Sequence, residues 1–337
     1  MPFLEGPLIR IVLCLGFWLI AATTQAQQTQ PVLSGDVRIH DPSVIVVDGT
    51  WVSFETGQEG GSYQGAVRIK TSPDGLVWSD AGSVGKGVPV WVHEELGFRP
   101  ANLWAPTISK HGDTFYLYYS ASRFGVNTSA IGLATNTSLD PKHPGEGWED
   151  QGLVLKTSAR DNYNAIDPFR VEVPDGRAWL VVGSFWSGIR MVEIDPASGK
   201  RLDGDSALYA LASRGGAGIE AATILHHGDY YYLFVSFDRC CAGVNSTYKI
   251  MVGRAEAVTG PYVDAAGTPM KAGGGTEVLA STGRFIGPGG QEAFVGPEGA
   301  MLVFHYYDGD DFGVPKLQIS PIRWTEDGWP RLDPLPR

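Results

Sequence analysis

The sequence predicts an all-β protein, a five-bladed β-propeller, on three observations. A pattern of short strands recurs five times along the chain, at intervals of roughly fifty to seventy residues. Each repeat carries apolar or β-branched runs separated by polar turns, the signature of hairpin-connected strands. No 3.6-residue apolar period of helix length follows the N-terminal segment, which argues against βαβ architectures. A β-sandwich would not naturally give five units of this size, whereas blades set radially around a channel do.

The units can be read in order. Their opening phrases are His40-Asp41-Pro42, Trp104-Ala105-Pro106, Ile166-Asp167-Pro168, Ile219-Glu220-Ala221 and Pro288-Gly289-Gly290. After each comes a strand-type run: Trp51 to Phe54, Phe115 to Ser120, Trp179 to Gly183, Tyr231 to Ser236 and Met301 to Tyr306. Polar turns such as Asp48-Gly49, His111-Gly112-Asp113 and Asp175-Gly176 stand between phrase and run. A third run closes each unit: Val67 to Ile69, Ile131 to Leu133, Ile189 to Val192, Lys249 to Val252 and Lys316 to Ile319. The segment Pro31 to Asp36 is expected to supply a strand that closes the ring against the last blade.

Lys+Arg 26 against Asp+Glu 37 gives a net charge of −11, with no run of basic residues. Such a body disfavours nucleic acid and anionic membranes as partners. At the N-terminus Arg10 precedes the apolar run Ile11 to Ala22, and Thr24-Gln25-Ala26 offers a cleavage site. The expectation is a signal peptide over residues 1–26, a secreted product, and a single propeller domain over 27–337 that acts as a monomer. Cleavage would remove Cys14 and leave the adjacent pair Cys240-Cys241, too few ligands for a zinc site. A vicinal disulfide and two buried thiols both stay open.

Equivalent positions on successive blades lie around one end of the channel. Assigning Asp41, Ala105, Asp167, Glu220 and Gly290 to one repeat position brings three acids together there. Any one of them could be a turn residue, but three in one register point to chemistry. A raised-pKa acid facing an ionised base is the equipment of glycoside hydrolysis. Trp104, Phe124, Phe185 and Trp186 near that end suit stacking on sugar rings. His305 lies in the second strand of the last unit beside Tyr306 and Tyr307 and fits a core or a site role equally. No Gly-x-Ser-x-Gly elbow or His-Glu-x-x-His pair occurs.

The phrases His40-Asp41-Pro42, Asn102-Leu103-Trp104-Ala105-Pro106, Asn164-Ala165-Ile166-Asp167-Pro168, Gly183-Ser184-Phe185-Trp186 and Ile219-Glu220-Ala221, with Cys240-Cys241 and Ile250 to Arg254, resemble glycoside hydrolase family 43. Within it they are most similar to the endo-α-1,5-L-arabinanases, over about Val37 to Trp329. The resemblance implies an inverting hydrolase of plant-cell-wall arabinan with Asp41 as general base, Glu220 as general acid and Asp167 orienting Glu220 and keeping it protonated. It also implies substrate contacts at Trp104, Phe124, Asn164 and Ser184, to which His40 and His305 are added here as candidate substrate-binding residues. Many such enzymes hold an axial calcium ion through a histidine where this chain has Gly290, so no cofactor is expected to be required, and an axial calcium ion here would be held mainly through water. An α-L-arabinofuranosidase or β-xylosidase of the same family stays open, as does a non-catalytic glycan-binding propeller, which would need no buried acid trio.

Overall fold

The computed structural model describes residues 1–3, 29–202 and 207–336. The expected signal segment 1–26 lies outside them apart from its first three residues. Five sheets make the blades, antiparallel except for one parallel pair at the edge of the first. Blade one holds β1 (Ser34–Gly35), β2 (Ser43–Val47), β3 (Thr50–Glu55), β4 (Arg68–Ser72) and β5 (Val77–Ser83). A seven-residue helix, α1 (Val90–Leu96), leads to blade two, with β6 (Leu103–His111), β7 (Thr114–Ala121), β8 (Ser129–Asn136) and β9 (Glu149–Thr157). Blade three has β10 (Phe169–Glu172), β11 (Ala178–Val182), β12 (Ile189–Ile194) and β13 (Tyr209–Ala212). Blade four has β14 (Ile219–His227), β15 (Tyr230–Phe237), β16 (Lys249–Ala255) and β17 (Thr276–Leu279). Blade five has β18 (Phe285–Gly296), β19 (Gly299–Asp308), β20 (Val314–Trp324) and β21 (Pro330–Leu332).

The second strand of each blade is buried on both faces, because successive side chains point into opposite neighbouring interfaces. Leu117 packs towards blade one and Tyr118 towards blade three. Leu233 faces blade three and Phe234 faces blade five. Phe304 joins the cluster with blade four, and Val303 packs with Val44 and Trp51 of blade one, closing the ring. Each such side chain contributes about 1.5–3 kcal/mol by leaving water. That is why these strands read as continuous apolar runs rather than alternating ones.

Ring closure differs from the expectation. β1 runs parallel to β5 on the outer edge of blade one, with Ser34 opposite Val77. Residues 37–39 make the backbone pairing with β20: Leu317 N–H donates to Val37 O at 2.8 Å, and Ile39 N–H to Pro315 O at 3.2 Å, while Pro31 O only accepts from the Gln318 side chain at 3.3 Å. β21 covers only Ile322 to Trp324 of β20, so the remaining edge of β20 is left for this segment. The helix α1 was also absent from the sequence reading. It buries only Val92 and Leu96, a single i, i+4 pair that is too short to register as a period.

Among the described residues no helix is long and apolar enough to cross a membrane.

Candidate active site

The five opening phrases share one backbone feature. Asp41, Ala105, Asp167, Ala221 and Gly290 all have positive φ, between 40° and 56°. This left-handed residue breaks the strand register: β6 shifts between Trp104 and Thr107, and β14 between Glu220 and Thr223. Proline follows it at 42, 106 and 168, where the bulge needs no N–H. The common position is therefore held by Ala221, and Glu220 stands one residue earlier, level with His40, Trp104 and Ile166. Two of the three acids, not three, share the repeat register.

Neighbouring blades are stitched at this bulge by one side chain each. Thr56 Oγ1 accepts from Ala105 N–H at 2.9 Å, Ser120 Oγ from Asp167 N–H at 2.9 Å, and Ser236 Oγ from Gly290 N–H at 3.0 Å. His305 Nδ1 accepts from Asp41 N–H at 3.1 Å and completes the circuit. Blade three departs from the scheme. Ser184 Oγ donates to Glu220 Oε2 at 2.6 Å, while Ala221 N–H goes to Asp167 Oδ2 at 3.0 Å. The exception binds both remaining acids into the ring.

All three acids line one groove of about 790 Å³, together with His40, Trp104, Phe124, Asn164, Ser184, Phe185, Trp186 and Tyr248. Phe124 is 83 % exposed and free to stack on a ligand. Trp104 is oriented by a hydrogen bond from Nε1 to Asn102 Oδ1, 3.0 Å. Asn164 and Ser184 are buried at the groove wall, and Asn164 Oδ1 accepts from Ser129 at 2.6 Å. His305 is not a groove residue. It is fully buried beneath His40, whose ring stacks on it at 3.9 Å, and it holds the Asp41 backbone.

The acids are driven to opposite protonation states. Burial works to raise Asp41, but the charge and hydrogen bond of His40 outweigh it, with help from His305 and Thr56, and bring it down to about 2. His40 Nδ1 lies 2.8 Å from Asp41 Oδ2, and Thr56 donates to the same oxygen at 2.8 Å. Burial raises Glu220 above the ordinary carboxylate range, and hydrogen bonds from Ser184 and Tyr248 only partly offset it. Asp167 is raised further, first by burial and then by the charges of Glu220 and Asp41. Crowded buried carboxyls cannot all ionise, so a proton is retained on the Asp167 and Glu220 side of the groove.

Several of these partners escaped sequence reading. Tyr248 donates to Glu220 Oε1 from β16's entry loop, and Thr56 serves two blades. Glu292 lies buried on the axis below the acids, accepting from Ser43 on Oε1 and from Thr107 on Oε2, both at 2.7 Å. Gln291 does not point away from the axis as a one-residue offset in a regular strand suggests. The bulge at Gly290 turns it back, so that Oε1 accepts from Ser236 at 2.7 Å and Nε2 donates to Ala221 O at 2.6 Å. Position 290 has no room for a side chain, since a Cβ there would come within 2.5 Å of Asp41 Oδ1 and 2.6 Å of the His305 ring.

Only His40, Asp41 and His305 gather donor atoms within 4.8 Å among the described residues. Every ring nitrogen of the two histidines is already hydrogen-bonded, to Asp41 or to Tyr307. Calcium takes about six to eight oxygen ligands, and one carboxylate beside two engaged imidazoles does not fit it.

The expected choice between thiols and disulfide is resolved by geometry, since Cys240 and Cys241 are bonded to each other at the rim of the same groove.

A propeller that gathers an ionised carboxylate and a protonated one in an open groove lined with aromatic rings is a glycoside hydrolase of the propeller class. The chain belongs to glycosyl hydrolases family 43, whose model matches residues 28–330. It is 41 % identical over 294 residues to the extracellular endo-alpha-(1->5)-L-arabinanase 1 of Bacillus subtilis, covering 87 % of each chain. It is 37 % identical over 308 residues to the extracellular exo-alpha-(1->5)-L-arabinofuranosidase ArbA of Cellvibrio japonicus, covering 88 % of this chain and 87 % of that one. The solved endo-arabinanase of Bacillus licheniformis superposes with a TM-score of 0.82 at 42 % identity, over 89 % of this chain and 99 % of that one.

Proposed function

We propose that this protein is a secreted, inverting, endo-acting hydrolase of α-1,5-linked L-arabinan. The observation that carries the mechanism is the opposed protonation of Asp41 and Glu220 in one groove. Asp41, ionised, accepts a proton from a water attacking the anomeric carbon. Glu220, protonated, donates to the departing glycosidic oxygen. The bond from carbon to that oxygen breaks as the bond to water forms, and the product carries the opposite anomeric configuration. Asp167 holds the Ala221 N–H next to the acid, and repulsion between the Asp167 and Glu220 carboxyls keeps one proton on the pair for delivery by Glu220. Ser184 and Tyr248 fix the carboxyl's orientation. No metal takes part in the cleavage, and the protein works as a monomer on arabinan or arabino-oligosaccharides. Relatives named as extracellular support export.

The substrate reading is tested by assaying linear arabinan, debranched arabinan, xylan and nitrophenyl glycosides side by side. Rapid loss of viscosity with a spread of oligosaccharides from linear arabinan is expected. Release of a single small product from chain ends would point to exo action, and preference for xylan would reject the arabinan reading.

A further inference from the structure

We propose that the Cys240–Cys241 disulfide is a positioning element for the base, acting through Tyr307 and His40. The idea rests on the assignment of Asp41 as base and adds a residue pair that the mechanism does not use. Cys241 N–H donates to the Tyr307 hydroxyl at 2.7 Å. The same hydroxyl lies 2.9 Å from His40 Nε2 and 3.3 Å from His305 Nε2. His40 Nδ1 then meets Asp41 Oδ2 at 2.8 Å, and His305 Nδ1 holds the Asp41 backbone. A continuous path of hydrogen bonds thus runs from the disulfide turn to both the side chain and the main chain of the base.

The covalent ring matters because of the backbone it imposes. Cys241 has φ of 62°, a left-handed conformation that non-glycine residues disfavour. An eight-membered ring closed by adjacent cysteines restricts this turn, and Ser246 supports it by accepting the Ala242 N–H at 3.1 Å. Opening the ring removes the covalent reason for Cys241 to stay left-handed and so to aim its N–H at Tyr307. Cys241 is exposed in the groove, so a soluble reductant can reach the bond.

The test uses the folded protein. A trialkylphosphine and water reduce the disulfide to two thiols, the phosphine leaving as its oxide. Alkylation with intact-mass measurement confirms the change, and near-ultraviolet circular dichroism confirms that the fold persists. Loss of one hydrogen bond to a site group predicts a kcat lower by about threefold to tenfold on linear arabinan, with KM within twofold and recovery on reoxidation. Cys240→Ser/Cys241→Ser should match the reduced enzyme. Tyr307→Phe should show a similar fall and a much smaller response to phosphine than the wild type, because only the 3.8 Å contact of Cys241 Sγ with His40 Nε2 then remains of the link. An unchanged kcat, a change confined to KM, or an additive loss in Tyr307→Phe overturns the proposal. Asp41→Ala is measured in parallel: retained activity there sinks the base assignment itself, whereas an inactive Asp41→Ala with phosphine-insensitive wild type sinks only this inference.

Discussion

The hydroxyl of Ser184 on blade three donates to Glu220 Oε2 on blade four at 2.6 Å, where the other four blade junctions use a side chain to hold a backbone N–H. A stitching position has been diverted to a carboxyl. The blade junction that breaks the pattern is the one that carries the acid.

Ser184→Ala removes a donor that favours ionised Glu220, so the acid's pKa rises further. The alkaline limb of the kcat/KM profile, set by loss of that proton, should move to higher pH. Because hydrogen bonds to charged groups are worth about 1.5–3 kcal/mol, kcat should fall roughly tenfold to hundredfold. An unmoved limb would show that Ser184 does not tune the acid.

Asp167→Asn should move the same limb the other way. The wild-type pair gives up its last proton against the repulsion between the two carboxyls; the neutral amide removes that repulsion, so Glu220 gives up its proton at lower pH. A pair of profiles displaced in opposite directions by these two variants checks the electrostatic reading, and displacement in the same direction contradicts it.

Glu292→Gln addresses stability. Burial pushes Glu292 up to about 8 from an ordinary 4.5, so the folded protein keeps a proton that the unfolded chain releases. The stabilisation from this group is full below about pH 4.5 and is lost as pH rises towards 8. Glutamine cannot ionise, so its Tm should decline less between about pH 5 and pH 8 than that of the wild type. Parallel curves would mean that Glu292 does not titrate in this range.

Phe124→Ala should leave the fold intact, since the ring is 83 % exposed. An aromatic contact worth about 0.5–1.5 kcal/mol predicts a KM for arabinan raised by roughly twofold to tenfold, with kcat little changed. An unaltered KM would remove Phe124 from the substrate path.

The blades were legible because each first strand carries the same local device, a left-handed residue that three times precedes proline. Proline is missing at Ala221-Ala222 and at Gly290-Gln291; at the first of these an acid stands directly before the left-handed residue, so the local pattern places Glu220 in Ala221's position. His305 was legible as a residue of interest but not in its role, because a strand pattern does not tell which blade a side chain leans on. Tyr248, Thr56 and Glu292 were invisible for the same reason: their partners lie on other blades, and no local spacing encodes a contact across the axis. The bulge at Gly290 turned Gln291 inward against the simple alternation of a strand.

The division of labour between Asp41 and Glu220 is tested most directly by comparing Asp41→Ala and Glu220→Ala on linear arabinan and on an aryl arabino-oligoside with a good leaving group. Both variants should lose at least about a hundredfold in kcat on arabinan, the lower range of general acid–base contributions. Glu220→Ala should recover much of its rate on the aryl substrate, which needs no protonated leaving oxygen, and Asp41→Ala should recover none. Near-wild-type turnover in either variant, or recovery by Asp41→Ala alone, would contradict the assignment.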